Sequence, residues 1–455
     1  MSLYSYFRIS KPSPSKVAPE EVESTYKRLR GRTFWGSVAG YCIFYICRMT
    51  LSVIKQPMVD EGILSPAQIG LVGSAMLFVY AVGKFLNGFI ADYCNLRRFM
   101  AWGLFISALV NLVMGATGLL QGWIGFSSIA LLIIFAGLWG INGWVQSMGA
   151  PPTVIGLSRW FPLSRRGTAY SIVCATPYLG KFLSMVLTGH VVLWIGWQWG
   201  FLAAGVAGLL GTALILLMIS DTPESKGLPS IQEISGEARA KADDIPTRQL
   251  HKAVLRHPGI WIIAISSGFV YIAQYGISNW GIFFLQKAKD YALIDATYLI
   301  GVSEAIGVVG TVFAGWISDR VFHGDRLKPV LLCGVIAMIT LGVFLFTGAG
   351  YMLSILCLSI ASLAISGLYC IVAGLMAMDI VPRKATGAAL GVVGISSYVA
   401  AGLQDIVSGL LIENNTLGGV YDFTSTGIFW MGACLLSFLL PALFWKQLRL
   451  KVAEF

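Results

Sequence analysis

The sequence predicts an all-α membrane protein in which twelve transmembrane helices form two six-helix bundles. Its 455 residues are 56% hydrophobic and only 12% charged, and the mean hydropathy is +0.75, which is outside the range of soluble domains. Apolar stretches of about 20 residues recur along nearly the whole chain, and each is long enough to cross a bilayer as a helix. One long polar segment separates the first six from the last six.

The apolar stretches define the order of the elements. The predicted spans begin near Thr33, Ile69, Phe99, Ile124, Gly167 and Trp197, and then near Gly259, Ala296, Pro329, Tyr351, Thr386 and Ser425. These positions divide the chain into an N-terminal segment (1–32), a first bundle (33–220), a linker (221–257), a second bundle (258–446) and a C-terminal tail (447–455).

The distribution of basic residues predicts the topology. The net charge is +10, and with a cytoplasmic N-terminus almost all Lys and Arg residues lie on the cytoplasmic side, as the positive-inside rule requires. The exceptions are three basic residues assigned to the outer side and three assigned to spans: Lys55, Lys287 and Lys289, then Arg48, Lys84 and Lys181. Both termini are therefore predicted to be cytoplasmic, and the positive charge reflects topology instead of a nucleic-acid partner.

Two similar stretches indicate an internal repeat. The second span ends in "GKFLNGFIADYCNLRR" and the eighth in "GTVFAGWISDRVFHGDR". A glycine lets helices approach closely, and an aspartate at a span end pairs with basic groups or helix N-termini. We interpret the shared pattern as a gating motif with these members: Gly88, Asp92, Arg97 and Arg98 in the first half, and Gly315, Asp319 and Arg320 in the second.

The repeat also relates residues inside the spans. Arg48 and Gln274 lie at the same depth in the first and seventh spans, and at nearly the same distance before Gly88 and Gly315. They are predicted to be equivalent positions in two halves related by an axis along the membrane normal. "SRRGTAYS" before span five and "PRKATGAAL" before span eleven form a third pair.

These motifs resemble the major facilitator superfamily. Within it, five stretches are similar to the organophosphate:phosphate antiporters, the group of the glycerol-3-phosphate and hexose-phosphate transporters and the hexose-phosphate sensor: "GYCIFYICRMTLSVI", "NGWVQSMGAPP", "DTPESKGLPSIQE", "YGISNW" and "GWISDRVFHGDR". The resemblance extends from about Thr33 to Trp445. It implies a transporter with one central site that is exposed alternately to the two sides of the membrane.

Arg48 is the first candidate binding residue. A rise of 1.5 Å per residue puts it roughly 22 Å from the cytoplasmic edge, so it needs a cavity or a partner. Tyr41 and Tyr45 share its helical face. Contact with a ligand is favoured over a structural ion pair, and the resemblance implies a phosphate-binding arginine at this position.

Two lysines are further candidates. Lys84 lies about 12 Å into the membrane, where substrate contact and a gating pair are equally compatible with the sequence. Lys181 lies roughly 21 Å deep, near the level of Arg48. Members of the resembled family have a histidine and an asparagine ahead of two glycines here, whereas this chain has Pro177 and Tyr178 ahead of Gly180 and Lys181.

Gln274 is the second departure from the pattern of the resembled family. The antiporters carry a second arginine there, which completes a two-cation clamp for phosphate. Gln274 keeps hydrogen-bond donors but no charge. Either Lys181 replaces the missing cation or the ligand carries less negative charge. A helix-packing role for Lys181 also stays open.

Two acidic residues and several polar residues complete the predicted site. Glu304 is expected to pair with basic residues, and Asp405 to bond a hydroxyl, carry a proton or pair with a lysine. Tyr275 and Asn279 are predicted to line the walls, and further polar or aromatic candidates are Asn142, Trp144, Gln146, Tyr271, Trp280 and Tyr369. Each of these residues taken singly is more often a packing residue than a ligand contact.

The sequence lacks the patterns of an enzyme. The eight cysteines have no metal-ligand spacing, no nucleophile-base set is evident, and the linker is too short for a nucleotide-hydrolysing domain. We expect no metal and no cofactor, so transport must use a gradient or an exchange.

The predicted function is secondary active transport of a phosphorylated or otherwise anionic small metabolite in exchange for inorganic phosphate. The chain is expected to be a monomer in the bilayer of a bacterial inner membrane. One alternative is a hexose-phosphate sensor that signals to a membrane sensor kinase. Another is a proton-coupled transporter of a monoanionic sugar derivative, with Asp405 as the proton carrier.

Overall fold

A computed structural model describes residues 6–235, 252, 254–348, 350–381, 386–417 and 419–449. In this part of the chain twelve helices are long and apolar enough to cross a membrane. The first half contains α1 (Val22–Asp60), α2 (Pro66–Asp92), α3 (Leu96–Ile124), α4 (Ser128–Gln146) with its continuation α5 (Ala150–Trp160), α6 (Leu163–Ile195) and α7 (Trp197–Met218). A short helix, α8 (Ile231–Ser235), follows.

The second half has the corresponding helices. They are α9 (Pro258–Ala288), α10 (Leu293–Arg320), α11 (Leu327–Phe346), α12 (Tyr351–Cys370), α14 (Thr386–Asn414) and α15 (Thr424–Leu443). A π-helical segment (Ile371–Met376) and α13 (Ala377–Ile380) continue α12. Two short strands, β1 (Thr416–Leu417) and β2 (Val420–Tyr421), pair antiparallel after α14, and α16 (Trp445–Arg449) follows α15.

Local sequence determines several helix boundaries. Ser65 accepts a hydrogen bond from the backbone of Gln68, whose side chain bonds back to Ser65, so α2 begins in a capping box. Asn95 caps α3 by accepting from the backbone of Arg98. Gly125 ends α3 with a φ of 66°, a left-handed conformation that favours glycine.

The packing of the helices repeats in the two halves. In the first half α1 packs on α6 and α7, α2 packs on α4, and α3 packs on α7. In the second half α9 packs on α14 and α15, α10 on α12, and α11 on α15. The same scheme in both halves is the structural form of the predicted repeat, and it pairs α1, which carries Arg48, with α9.

The halves meet along three helix pairs, which are α2 with α14, α6 with α10, and α1 with α9. We call the end of the bundle where α1 ends and α2 begins the distal face, and the end near the termini and the linker the terminal face. At the distal face Lys287 pairs with Asp60 at 2.5 Å, and Gln286 donates to Gln56 at 2.9 Å. These contacts between the halves close the distal face.

Close helix approach at the distal face depends on glycine. A Cβ on Gly409 of α14 would lie 2.6 Å from the carbonyl oxygen of Pro66, and a Cβ on Gly70 of α2 would lie 2.5 Å from that of Asp405. Real Cβ atoms do not approach backbone oxygens so closely, so glycine permits this contact between α2 and α14.

The first helix is longer than predicted at both ends. It begins at Val22, inside the predicted N-terminal segment, and it continues past Pro57 to Asp60. Lys55 was predicted to face the outer side, and this is wrong because Lys55 lies inside α1 and is buried.

The chain before α1 packs on the start of the predicted linker. Backbone amides of Ser13 and Val17 donate to the carbonyls of Glu224 and Gly227, at 2.8 and 3.0 Å. The first residues of the linker therefore belong to the terminal face of the first half. Residues 236–251, the greater part of the linker, lie outside the described residues, as do 382–385 at the start of "PRKATGAAL".

Candidate functional site

Arg48 lies between the two halves and is 5% exposed. Its guanidinium donates a hydrogen bond to the hydroxyl of Tyr275 on α9 at 3.1 Å. It also lies 4.3 Å from the ring centroid of Tyr80 and 5.8 Å from that of Tyr398, which are cation–π distances. No carboxylate in the described part of the chain forms an ion pair with Arg48. A buried cation without a counter-ion is costly, and it favours an anionic ligand.

Tyrosines from both halves surround Arg48. The ring centroids of Tyr80 on α2 and Tyr398 on α14 are 4.6 Å apart, and those of Tyr271 and Tyr398 are 5.2 Å apart. The tyrosine cluster is Tyr41, Tyr45, Tyr80, Tyr271, Tyr275, Tyr369 and Tyr398. The cluster offers phenol hydroxyls that donate to oxyanions and aromatic faces that pack on carbon.

Lys84 shares one of these rings with Arg48. Its ammonium nitrogen is 4.9 Å from the ring centroid of Tyr398, and its side chain is half-buried. Within the described residues Lys84 has no carboxylate partner either. The structure therefore brings two cations without counter-ions to the same tyrosine ring.

Lys181 has a carboxylate partner. It lies 3.0 Å from a carboxylate oxygen of Glu304 on α10, and both side chains are buried. Ser278 on α9 accepts from Lys181 at 3.3 Å and donates to Glu304. The structure thus pairs Glu304 with a basic residue, as the sequence predicts, and the charge of Lys181 is neutralised within the protein.

A second buried ion pair involves Lys55, which the sequence analysis did not place in the site. Its ammonium nitrogen lies 3.3 Å from Asp405 and 3.6 Å from the ring centroid of Trp280, and Lys55 and Asp405 are each 1% exposed. Asp405 also accepts from the indole of Trp280 at 2.6 Å and from the amide of Asn279 at 3.2 Å. Of the three roles considered for Asp405, the structure shows pairing with a lysine.

Lys55 was missed because its span was counted from Thr33, which put Lys55 at the membrane edge. The buried acid was the available signal, since an aspartate inside a span requires a partner.

The stretch "YGISNW" on α9 organises these charged groups. Tyr275 contacts Arg48, Ser278 contacts Lys181 and Glu304, and Asn279 and Trp280 contact Asp405. One helix of the second half therefore reaches every charged pair at the centre.

Gln274 is adjacent in sequence to the residue of α9 that contacts Arg48. Tyr275, the next residue on α9, contacts Arg48, while Gln274 is half-buried beside it. The group on α9 that accepts from Arg48 is therefore a neutral phenol hydroxyl.

Two of the candidate wall residues bond to the backbone of α1, which fits the packing alternative. Asn142 donates to the carbonyl of Cys47 at 3.2 Å, and Gln146 donates to that of Phe44 at 3.0 Å. Asn111 donates to the same Cys47 carbonyl at 3.0 Å. These amides from α3 and α4 hold the turn of α1 that precedes Arg48, and so they position the arginine.

The two glycines of the predicted gating motif make no close contact with another helix in the described part of the chain. A Cβ on Gly88 or Gly315 would meet no atom within 4 Å among the described residues, so the expected close approach at these glycines is not present. Asp92 is exposed, and its carbonyl accepts from Arg159 at 3.2 Å. The other motif residues lie apart from the centre: Arg97 in the first turn of α3, Arg98 bonded to the carbonyl of Tyr6, and Arg320 exposed at the end of α10. The side chain of Asp319 lies outside the described residues.

A small cavity connects Arg48 to the second ion pair. Its lining includes Arg48, Lys55, Tyr275, Asn279 and Asp405, and its volume is about 20 Å³. That volume holds a water molecule and no metabolite. A larger ligand requires the two halves to move apart.

Twelve spans in two equivalent halves, with buried charges between them, define a transporter of the alternating-access class. The chain belongs to the Major Facilitator Superfamily, which it matches over residues 38–404. Within that superfamily it belongs to the organophosphate:phosphate antiporter family, as its curated relatives show. These relatives are named as transport and sensor proteins.

Three relatives illustrate the range of the family. The glycerol-3-phosphate transporter of Bacillus subtilis is 32% identical over 96% of this chain and 98% of its own length. A probable hexose phosphate transport protein of Chlamydia trachomatis is 29% identical over 84% of this chain and 85% of its own. The membrane sensor protein UhpC of Escherichia coli is 27% identical over 86% of this chain and 88% of its own.

Solved structures agree on the fold. A bacterial homolog of the human lysosomal transporter Spinster, in an inward-facing and unoccupied conformation, has a TM-score of 0.72 at 16% identity and covers 92% of this chain and 98% of its own. A D-xylose-proton symporter has a TM-score of 0.65 at 14% identity and covers 90% and 96%.

Proposed function

We propose that the protein is a secondary active transporter of the bacterial inner membrane that carries a phosphorylated small metabolite in exchange for inorganic phosphate. The observation that carries the proposal is Arg48, which is buried between the halves without a carboxylate partner among the described residues. The names of the relatives support the substrate class, since they include transporters of glycerol 3-phosphate and hexose phosphate.

The charges at the centre match a phosphate monoester. Lys55 and Lys181 are neutralised by Asp405 and Glu304, which leaves Arg48 and Lys84 as cations without counter-ions in the described residues. A phosphate monoester carries about 1.5 to 2 negative charges near pH 7. Lys84, and not Lys181, is therefore the residue that we propose to offset the arginine absent at Gln274.

The same charges favour exchange over one-way transport. An empty site would keep Arg48 and Lys84 unneutralised while the halves close around them, which raises the free energy of reorientation. A bound anion removes that cost and shifts the population toward closed and reoriented states. Organophosphate moving in one direction and phosphate moving in the other would each satisfy this requirement.

Counterflow in proteoliposomes tests the proposal. Vesicles loaded with inorganic phosphate should take up labelled glycerol 3-phosphate or glucose 6-phosphate, and vesicles loaded with chloride alone should take up little. Equal uptake into both kinds of vesicle would rule out exchange. Uptake of neither compound under any loading would rule out organophosphate transport.

A sensor is the second candidate, and the relative that favours it is the membrane sensor protein UhpC, which aligns with most of this chain. A receptor would bind hexose phosphate with little flux. Binding by calorimetry combined with the counterflow assay separates the two functions, since a transporter shows both and a receptor shows binding alone.

A further inference from the structure

The buried charges at the centre are divided unequally between the two halves. Among the described residues of the membrane-crossing helices, the buried cations Arg48, Lys55 and Lys181 all belong to the first half. The buried carboxylates, Glu304 and Asp405, both belong to the second half. Each ion pair at the centre therefore crosses the interface between the halves.

The interface that these pairs cross is the one that must separate when the distal face opens. A Cβ on Gly73 of α2 would lie 2.0 Å from a carboxylate oxygen of Asp405, so Asp405 lies directly against α2. Glu304 lies on α10, which packs against α6, the helix of Lys181. Separation of α2 from α14 and of α6 from α10 pulls both pairs apart.

The carboxylates keep their other hydrogen bonds in that movement, but the lysines lose theirs. Asp405 accepts from Asn279 and Trp280, and Glu304 accepts from Ser278, all on α9 in the same half. The contacts of Lys55 and Lys181 with Asp405, Trp280, Ser278 and Glu304 all cross to the second half. Opening the distal face therefore leaves the acids partly satisfied and exposes two more cations beside Arg48.

We propose that the central site binds anions more tightly when it is open to the distal face than when it is open to the terminal face. In the state described here two cations are free of counter-ions, and in the distal-open state Lys55 and Lys181 join them. The asymmetry concerns phosphate groups, because a dianion gains most from direct contact with additional cations. This inference rests on the proposed phosphate exchange.

Phosphate–phosphate exchange in oriented vesicles tests the asymmetry. Proteoliposomes can be sorted by affinity capture of a tag on the C-terminus, which gives one population with the terminal face outward and one with the distal face outward. The half-saturating concentration of external inorganic phosphate should be about tenfold lower at the distal face. Equal values at the two faces, or tighter binding at the terminal face, would overturn the inference. Absence of any exchange would instead refute the proposed function.

Neutral pair variants assign the asymmetry to these residues. The variants Lys55→Gln with Asp405→Asn, and Lys181→Gln with Glu304→Gln, each remove one cation and its counter-ion without leaving a buried charge. Each should reduce the ratio of the half-saturating phosphate concentrations at the two faces about threefold. The control is Lys27→Gln with Glu23→Gln, which removes an exposed pair on α1 and should leave the ratio unchanged. If both central variants kept the ratio of the parent chain, the assignment would be contradicted. Because there are two such variants, the test still works if one of them does not fold.

Discussion

At the scale of the residue, Arg48 and Lys55 lie on one helix and have opposite surroundings. Lys55 has Asp405 within 3.3 Å, whereas Arg48 has aromatic rings and a phenol hydroxyl. Coulombic attraction in a poorly solvated site is strong, so a cation without a carboxylate is the place where an external anion gains most. This difference assigns ligand binding to Arg48 and an internal pairing role to Lys55 in the distal-closed state.

Arg48→Lys should remove most of the transport. A guanidinium binds two oxygens of a phosphate through a planar fork, and an ammonium does not reproduce that geometry. We expect phosphate exchange to fall by about 100-fold, equivalent to about 2.7 kcal/mol, with little change in thermal unfolding temperature. Counterflow of labelled phosphate measures the loss. Lys27→Arg on the exposed part of the same helix is the control, and transport at the parental rate in Arg48→Lys would mean that Arg48 is structural.

Lys55→Gln should be more harmful to stability than its neutral double variant. Removing one partner leaves Asp405 buried with an uncompensated charge, a loss of about 3 to 5 kcal/mol. The double variant with Asp405→Asn removes both charges and should recover most of that loss. Thermal unfolding in detergent, followed by fluorescence, compares the three proteins. If the single variant were as stable as the parent, the ion pair would contribute nothing to the distal-closed state.

At the scale of the element, the close approach of α2 and α14 at the distal face depends on Gly70 and Gly409 and not on the glycines of the gating motif. Gly409 faces the carbonyl of Pro66, whereas Gly88 and Gly315 face open space within the described residues. The sequence pattern selected Gly88 and Gly315 and did not indicate Gly409, because the partner of Gly409 lies on α2, far away in the chain. Which glycine is in contact depends on the conformation, and local sequence does not encode it.

Gly409→Val should favour opening of the distal face. The new side chain would meet a backbone carbonyl that cannot move without shifting α2, so the contact between α2 and α14 weakens. We expect several-fold faster labelling of a cysteine introduced at Met58, which is buried at the distal end of α1. Gly432→Val on α15, where a Cβ meets no atom within 4 Å of the described structure, is the matched control. Equal labelling of the two variants would show that Gly409 does not control closure.

The sequence was sufficient for the twelve spans and for the location of Arg48 inside the bundle, because apolar length and an isolated charge are local signals. It was insufficient for the burial of Lys55, for the pairing of Lys181 with Glu304, and for the contact of Tyr275 with Arg48. These depend on the rotation and length of helices from different halves, which tertiary packing determines. The π-helical segment after Cys370 likewise has no evident sequence signal.

At the scale of the whole molecule, the halves are joined at the distal face and at the centre. The outer layer consists of Lys287 with Asp60 and Gln286 with Gln56, and the inner layer consists of the ion pairs of Lys55 and Lys181. A ligand cannot pass until both layers have separated. Alternating access thus requires that the contacts of the outer layer break and re-form in each cycle.

A disulfide across the outer layer should therefore stop exchange without removing the binding site. Gln56 and Gln286 are in direct contact from opposite halves, so Gln56→Cys with Gln286→Cys places one thiol on each half at this contact. Oxidation should abolish phosphate exchange, a reductant should restore it, and the oxidised protein should still bind inorganic phosphate from the terminal face. The parent chain under the same oxidant controls for its own cysteines. A protease site inserted within 236–251 shows whether the link has formed, because linked halves stay together on a non-reducing gel after cleavage. Continued exchange by fully linked protein would mean that the distal face does not open during transport.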